Sequence, residues 1–129
     1  MLILTIRTDK PEAELGLYQD SAQLAYHTWL AHRELAETIQ IQISELLKGK
    51  GKALNDLGAI IVYEGPGSFT GLRIGISIAN SLAYSLGIPI VAEGKNWIES
   101  GINRLLAGDK DDLAIPEYGS LPNITQQRK

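Results

Sequence analysis

The spacing of apolar and polar positions changes character several times along the chain. Leu2-Ile-Leu-Thr-Ile6 is an apolar, β-branched run, the pattern of a buried strand. Asp9-Lys10-Pro11-Glu12 marks a turn, because proline fixes φ and aspartate caps the turn's backbone. Glu14–Tyr18 and Ala22–Trp29 read as two further strands joined at Gln19-Asp20-Ser21, completing an antiparallel meander. The period then becomes helical. Leu35, Ile39, Ile43 and Leu46/Leu47 recur at three- and four-residue steps and predict an amphipathic helix over about His32–Leu47. Lys48-Gly49-Lys50-Gly51-Lys52 ends it, with glycine for the cap and lysines at the negative end of the dipole. Leu57–Tyr63 carries the densest strand signal and runs into Glu64-Gly-Pro-Gly-Ser-Phe-Thr-Gly-Leu-Arg-Ile-Gly75, followed by a helix to about Leu86. Gly87–Glu93 is another strand, Asn96–Ala107 another helix, and the chain after Gly108 turns acidic and then Pro/Gly-rich, an irregular tail.

The order β-β-β-α-β-α-β-α places the chain in the α/β class. Three antiparallel strands followed by helix-linked parallel ones give a five-stranded mixed sheet with helices packed on it. Right-handed crossovers leave few topologies, and the ribonuclease-H-like order 3-2-1-4-5 is the natural one.

Composition narrows the function. At 129 residues, 44% apolar and 21% charged, the chain is one globular domain. A net charge of −3, with both signs spread along the chain, argues against a domain that grips nucleic acid by itself. The absence of cysteine removes disulfides, thiolate nucleophiles and Cys-ligated zinc, and the two histidines, His27 and His32, lack the spacing of a helical metal pair. No apolar run approaches the roughly 20 residues of a membrane span, and Met1–Ile6 is too short for a signal-peptide core, so a cytoplasmic location is expected.

The glycine-rich turn between strand and helix invites a phosphate, because backbone N–H groups and the helix dipole favour anions there. Its spacing fits neither standard loop: Gly71 is followed by Leu72-Arg73, and Thr70 stands where a dinucleotide fingerprint needs its third glycine. Gly65, Gly67, Ser68 and Thr70 are the candidate phosphate-binding residues. A second pattern is sharper. Gly67, Gly71, Gly75, Ala79, Ala83 and Gly87 lie four apart, so Gly71 to Ala83 form one nearly bare ridge on the helix. Either the protein's own sheet or a partner's helix approaches that ridge. Ile74, Ile78, Leu82 and Leu86 form a second stripe and Leu72 and Ile76 a third, and Arg73 is the only charge between Gly71 and Gly87. A helix apolar on several sides argues for a protein–protein interface. Ser68 and Thr70 read as helix caps, and Trp29 and Trp97 as anchors of core or interface. No catalytic set is visible.

Glu64–Gly75 after an apolar strand resembles the hallmark of the TsaB (YeaZ) family, the bacterial partner subunit for tRNA threonylcarbamoyladenosine synthesis within the actin-like ATPase superfamily. The surroundings are similar too: Leu2–Thr8 resembles its opening strand, His32–Leu47 its histidine-led helix, and Gly71–Leu86 its Ala/Leu-rich second helix. Ile115–Thr125 resembles its closing Pro-x-Tyr segment. The resemblance implies an actin-like N-terminal lobe over residues 1–107, with residues 108–129 as acidic linker and irregular tail where the family has a second lobe. One departure is Arg7, standing where the superfamily has an aspartate for nucleotide and metal, which argues against independent ATP hydrolysis.

The family's catalytic relative, TsaD, carries a His-x-x-x-His metal motif where this chain has His32-Arg-Glu-Leu-Ala36, without the second histidine. The resemblance therefore implies an accessory subunit with no catalytic residues and no resident metal, and ATP or ADP only at an interface with TsaD. It implies a four-helix bundle with TsaD through helices 32–47 and 71–86. The expected interface residues are Leu35, Ile39, Ile43, Phe69, Gly71, Leu72, Arg73, Gly75, Ile76, Ala79 and Ala83. TsaE would bind the pair, tRNA would be reached only through the complex, and a homodimer through the same helices is expected without TsaD. The rival expectation is a nucleotide- or phosphate-binding enzyme using Gly65–Gly75 as its loop. A degenerate metallopeptidase-like protein is a third.

Overall fold

The computed structural model describes residues 1–117. Strands β1 (Leu2–Arg7), β2 (Glu12–Gln19) and β3 (Ala22–Leu30) form the meander, followed by α1 (Leu35–Lys48), β4 (Ala59–Tyr63), α2 (Phe69–Leu86), β5 (Ile90–Glu93) and α3 (Trp97–Leu106). The sheet order is β3-β2-β1-β4-β5, with β1–β2 and β2–β3 antiparallel and β1–β4 and β4–β5 parallel. This is the expected ribonuclease-H-like arrangement, shared with actin-like lobes.

Helices α1 and α2 pack on one face, where Leu35, Ile39, Ile43 and Leu47 of α1 and Leu72, Ile76 and Ala79 of α2 are buried with Leu4, Ile6, Leu15 and Leu17. Helix α3 covers the β4–β5 side of the opposite face. Its Gly101 lies so close to Ile61 that a Cβ would come within 2.7 Å of that side chain. Trp97 at its start meets Tyr63 edge-on at 5.9 Å.

Boundaries differ from the expectations for local reasons. His32–Glu34 is a one-turn 3-10 helix, with His32 at φ +47, so the α-helix starts at Leu35. Gly87–Pro89 is the turn that closes α2 and leads into β5, not part of the strand: Gly87 is a left-handed cap at φ +67, and the Ile88 N–H donates to the Ala83 carbonyl at 3.0 Å. At the end of α1 the left-handed glycine is Gly51, while Gly49 stays helical.

Residues 108–117 hold no helix or strand, yet they are tied down. Asp111 bridges to Ile90 beside the outer edge of β5, its N–H 2.8 Å from the Ile90 carbonyl, and its carboxylate accepts the Ala92 N–H at 2.8 Å. Arg104 donates to Asp109 and Asp111 at 2.7 Å and to Glu93 at 3.0 Å. Asn80 of α2 both donates to the Ala114 carbonyl and accepts the Ala114 N–H. The Glu117 N–H reaches the Glu64 carbonyl at 2.6 Å. The Pro-x-Tyr resemblance from Tyr118 onward, and the tail to Lys129, lie outside the described residues.

Candidate functional site

The glycine motif is held by the end of β1. Arg7 donates to both oxygens of Asp9, at 2.7 and 3.3 Å, and its guanidinium lies 3.9 Å over the Tyr63 ring. The Asp9 hydrogen bond raises the Arg7 pKa further, so the charge is permanent. The Tyr63 hydroxyl donates to the Pro66 carbonyl at 2.8 Å, and the Ser68 N–H to the Asp9 carbonyl at 3.3 Å. Buried Thr8 donates to the Gly71 carbonyl at 2.7 Å. Arg7 therefore braces the loop through Asp9 and Tyr63.

The glycines permit this contact. A Cβ on Gly71 or Gly75 would collide with Thr8, one on Gly67 with Asp9, and one on Gly65 with the Glu117 carbonyl. The bare ridge thus packs on the protein's own β1 end, which corrects the reading in which it receives a partner's helix. The same correction covers Leu35, Ile39, Ile43, Leu72, Gly75, Ile76, Ala79 and Ala83. All are buried within this domain, because the hydrophobic stripe of each helix faces the sheet. Of the expected interface residues, Phe69 and Arg73 are exposed, with the Arg73 guanidinium 5.3 Å over the Phe69 ring, and Gly71 is half-buried.

The four candidate phosphate residues divide into two pairs. Gly65 and Gly67 are packed against Glu117 and Asp9, and a phosphate beside Gly67 would meet the Asp9 carboxylate. Ser68 and Thr70 line a 420 Å³ cavity between the starts of α1 and α2, with Lys10, His32 and Arg33 around it. The Ser68 side chain makes no capping bond.

Next to that cavity a 340 Å³ groove runs between the helices, lined by Ala36 of α1 and Thr70, Arg73, Ile74, Ser77 and Ile78 of α2. The exposed face of α2 continues through Ser81 to Tyr84, which is 91% exposed. Among the described residues neither Arg33 nor Arg73 is in a salt bridge. Lys10, Arg33, Ala36 and Tyr84 were not singled out by periodicity, since none belongs to an apolar stripe. A further cavity of 590 Å³ lies at the far end of α2, between Tyr84, Pro89 and Leu105, and is also lined by Ala83 and Gly87 of the four-residue pattern.

Among the described residues no group of three His, Cys, Asp or Glu side chains is placed to hold a metal ion. His27 bonds to Gln42 at 2.7 Å and stacks on Trp29, whose indole N–H donates to Thr38. At the ends of β4 and β5, burial and the neighbouring Glu93 raise the Glu64 pKa, while the Arg104 hydrogen bond lowers that of Asp111. No helix among the described residues is long and apolar enough to cross a membrane.

Comparison with known proteins agrees with the motif. A family model described as TsaD, tRNA N6-adenosine threonylcarbamoyltransferase, matches residues 28–93. The chain is 36% identical over 115 residues to the tRNA threonylcarbamoyladenosine biosynthesis protein TsaB of Escherichia coli (strain K12), covering 83% of this chain and 49% of that protein. It is 35% identical over 118 residues to the tRNA N6-adenosine threonylcarbamoyltransferase of Geotalea uraniireducens, covering 79% of this chain and 34% of that enzyme. Among solved structures, YeaZ from Pseudomonas aeruginosa matches with a TM-score of 0.67 at 30% identity, over 72% of this chain and 43% of that one. The chain spans about half the length or less of these relatives.

Proposed function

The chain belongs to the TsaB/YeaZ family of tRNA threonylcarbamoyladenosine biosynthesis proteins, and from that premise we propose that it is a non-catalytic docking subunit for TsaD. The observation that carries this reading is the outer face of α1 and α2. Between Gly71 and Gly87 that face of α2 offers Arg73 as its only charge, small Ser77 and Ser81, half-buried Ile74 and Ile78, and Tyr84 at its end. Such a surface loses little solvation when covered and gains apolar burial of roughly 25 cal/mol per Å² before association costs. Helices of TsaD pack over it as a bundle, and the docked lobe holds TsaD in its active arrangement for threonylcarbamoyl transfer. TsaE joins the pair, and tRNA is reached through the complex. The buried stripes support this interface from beneath: they hold α1 and α2 in place, and their outward neighbours make the contact.

Co-elution of the chain with the TsaD of the same genome tests the proposal. A stable complex is expected, and separate elution at micromolar concentration rejects it. A second reading, phosphate or nucleotide binding, draws on the cavity that brings Ser68 and Thr70 together with Lys10, His32 and Arg33. Calorimetry with ATP and magnesium separates the two: micromolar binding by the chain alone favours the second.

A further inference from the structure

Among the described residues the arginines fall into two kinds. Arg7 is paired with Asp9, and Arg104 with Glu93, Asp109 and Asp111. Arg33 and Arg73 are exposed, and neither forms a salt bridge with Glu34 or Glu37 of α1 or with any other described carboxylate. These two stand at one place. Arg33, just before α1, lines the 420 Å³ cavity, and Arg73, one turn into α2, lines the 340 Å³ groove. Thr70 and Ile74 line both, so the two arginines flank one opening. The starts of α1 and α2 meet there, and their free N–H groups add the positive ends of two helix dipoles. Beyond that end the exposed rows Ala36, Gln40 and Ser44 of α1 and Ser77, Ser81 and Ser85 of α2 carry no charge.

We propose that Arg33 and Arg73 are a two-pronged receptor for acidic side chains of TsaD, so that a partner seated between α1 and α2 places its carboxylates at the starts of both helices. This pairing rests on the docking reading and adds to it the chemistry that the partner must carry. A helix laid along the groove takes Arg73 out of water. A guanidinium buried without a counter-charge opposes docking strongly, whereas a carboxylate meets its planar fork with two short hydrogen bonds. No described carboxylate of the domain pairs with either arginine, so the partner supplies it. The contact of Arg73 with the Phe69 ring, at 5.3 Å, engages the π face and leaves the N–H donors without an acceptor. The neutral rows beyond give a covering helix area to bury but little to fix its direction or register. Ion pairs at one end of the groove fix both. The attraction is local, because a chain of net charge −3 repels an acidic partner over most of its surface.

Titrating the TsaD of the same genome into the chain at about 50 and about 300 mM salt separates pairing from docking. The unmodified chain should bind roughly tenfold more weakly at the higher salt. At low salt Arg73→Gln should bind roughly tenfold more weakly than the unmodified chain and lose most of the salt dependence, with an unchanged circular dichroism spectrum. Arg33→Gln should act in the same direction and less. Arg73→Lys, which keeps the charge, should stay within about threefold of the unmodified chain. Lys52→Gln, an exposed position beyond the far end of α1, removes one charge elsewhere and should change neither affinity nor salt dependence. A complex equally tight at both salt concentrations, or one weakened as much by Lys52→Gln as by Arg73→Gln, overturns the pairing and leaves the docking reading in place. Failure of the unmodified chain to bind TsaD rejects the docking reading, and the pairing with it. Binding of ATP and magnesium by the chain alone that Arg33→Gln abolishes, with TsaD affinity unchanged, assigns the cations to phosphate and also overturns the pairing.

Discussion

The two faces of α2 are both poor in large side chains, for different physical reasons. On the inner face, Gly71 and Gly75 let the helix settle on the end of β1, close enough for Thr8 to bond the Gly71 carbonyl at 2.7 Å, and Ala79 and Ala83 continue the buried side of the helix. Each glycine within a helix costs about 1 kcal/mol relative to alanine, and close packing offsets that cost here. On the outer face Ser77 and Ser81 touch no core, and their small size leaves the surface low and nearly uncharged. Small residues at helical spacing therefore mark close approach without saying from which side it comes.

The largest effect expected from breaking this contrast is on the inner face. Gly75→Leu drives a side chain into Thr8 and should destabilise the fold by about 3–5 kcal/mol, read as a fall in the urea midpoint. On the flank of the helix, Asn80→Ala removes both bonds to Ala114 and should cost about 1–3 kcal/mol, with faster amide exchange at Ala114.

The segment docked by Asn80 also makes stability depend on pH. The Arg104 hydrogen bond holds Asp111 below its ordinary 3.8, so the unfolded chain binds more protons there. The resulting stability is present above 3.8 and is lost as pH falls through the lower folded value. Glu64 acts oppositely. Burial and Glu93 raise its pKa above 4.5, so its ionised form weakens the fold at neutral pH and the penalty fades as pH falls through the raised value. Glu64→Gln should accordingly raise the melting temperature at pH 7, and the gain should vanish well below pH 4.5. On the outer face, Ser77→Glu should change stability least, by no more than about 0.5 kcal/mol in the same urea titration.

Much of the fold was legible in the sequence because its strands are β-branched runs and its first helix has a clean four-residue period. What misled was local. A histidine at positive φ and a glycine cap before Pro89 are set by backbone contacts that apolar spacing does not encode. The motif was legible as a unit, but the direction of its ridge was not. Leu72 and Ile76 lie beside Gly75 and Ala79 on the same helix, so an inward ridge and an outward one give the same three apolar stripes. Only Thr8, 63 residues from Gly71, decides between them. The informative signal for the outer face was an absence: no Glu or Lys at Ser77, Ser81 or Ser85, where an ordinary surface helix would carry them.

The outer face of α2 is the surface proposed to receive TsaD. Titrating TsaD from the same genome into Ser77→Glu, with Asn103→Glu on the exposed side of α3 as the control, tests it most directly. Docking on this face should show as at least a tenfold loss of affinity, about 1.4 kcal/mol, for Ser77→Glu and no change for Asn103→Glu. Equal affinity for the two variants would contradict it.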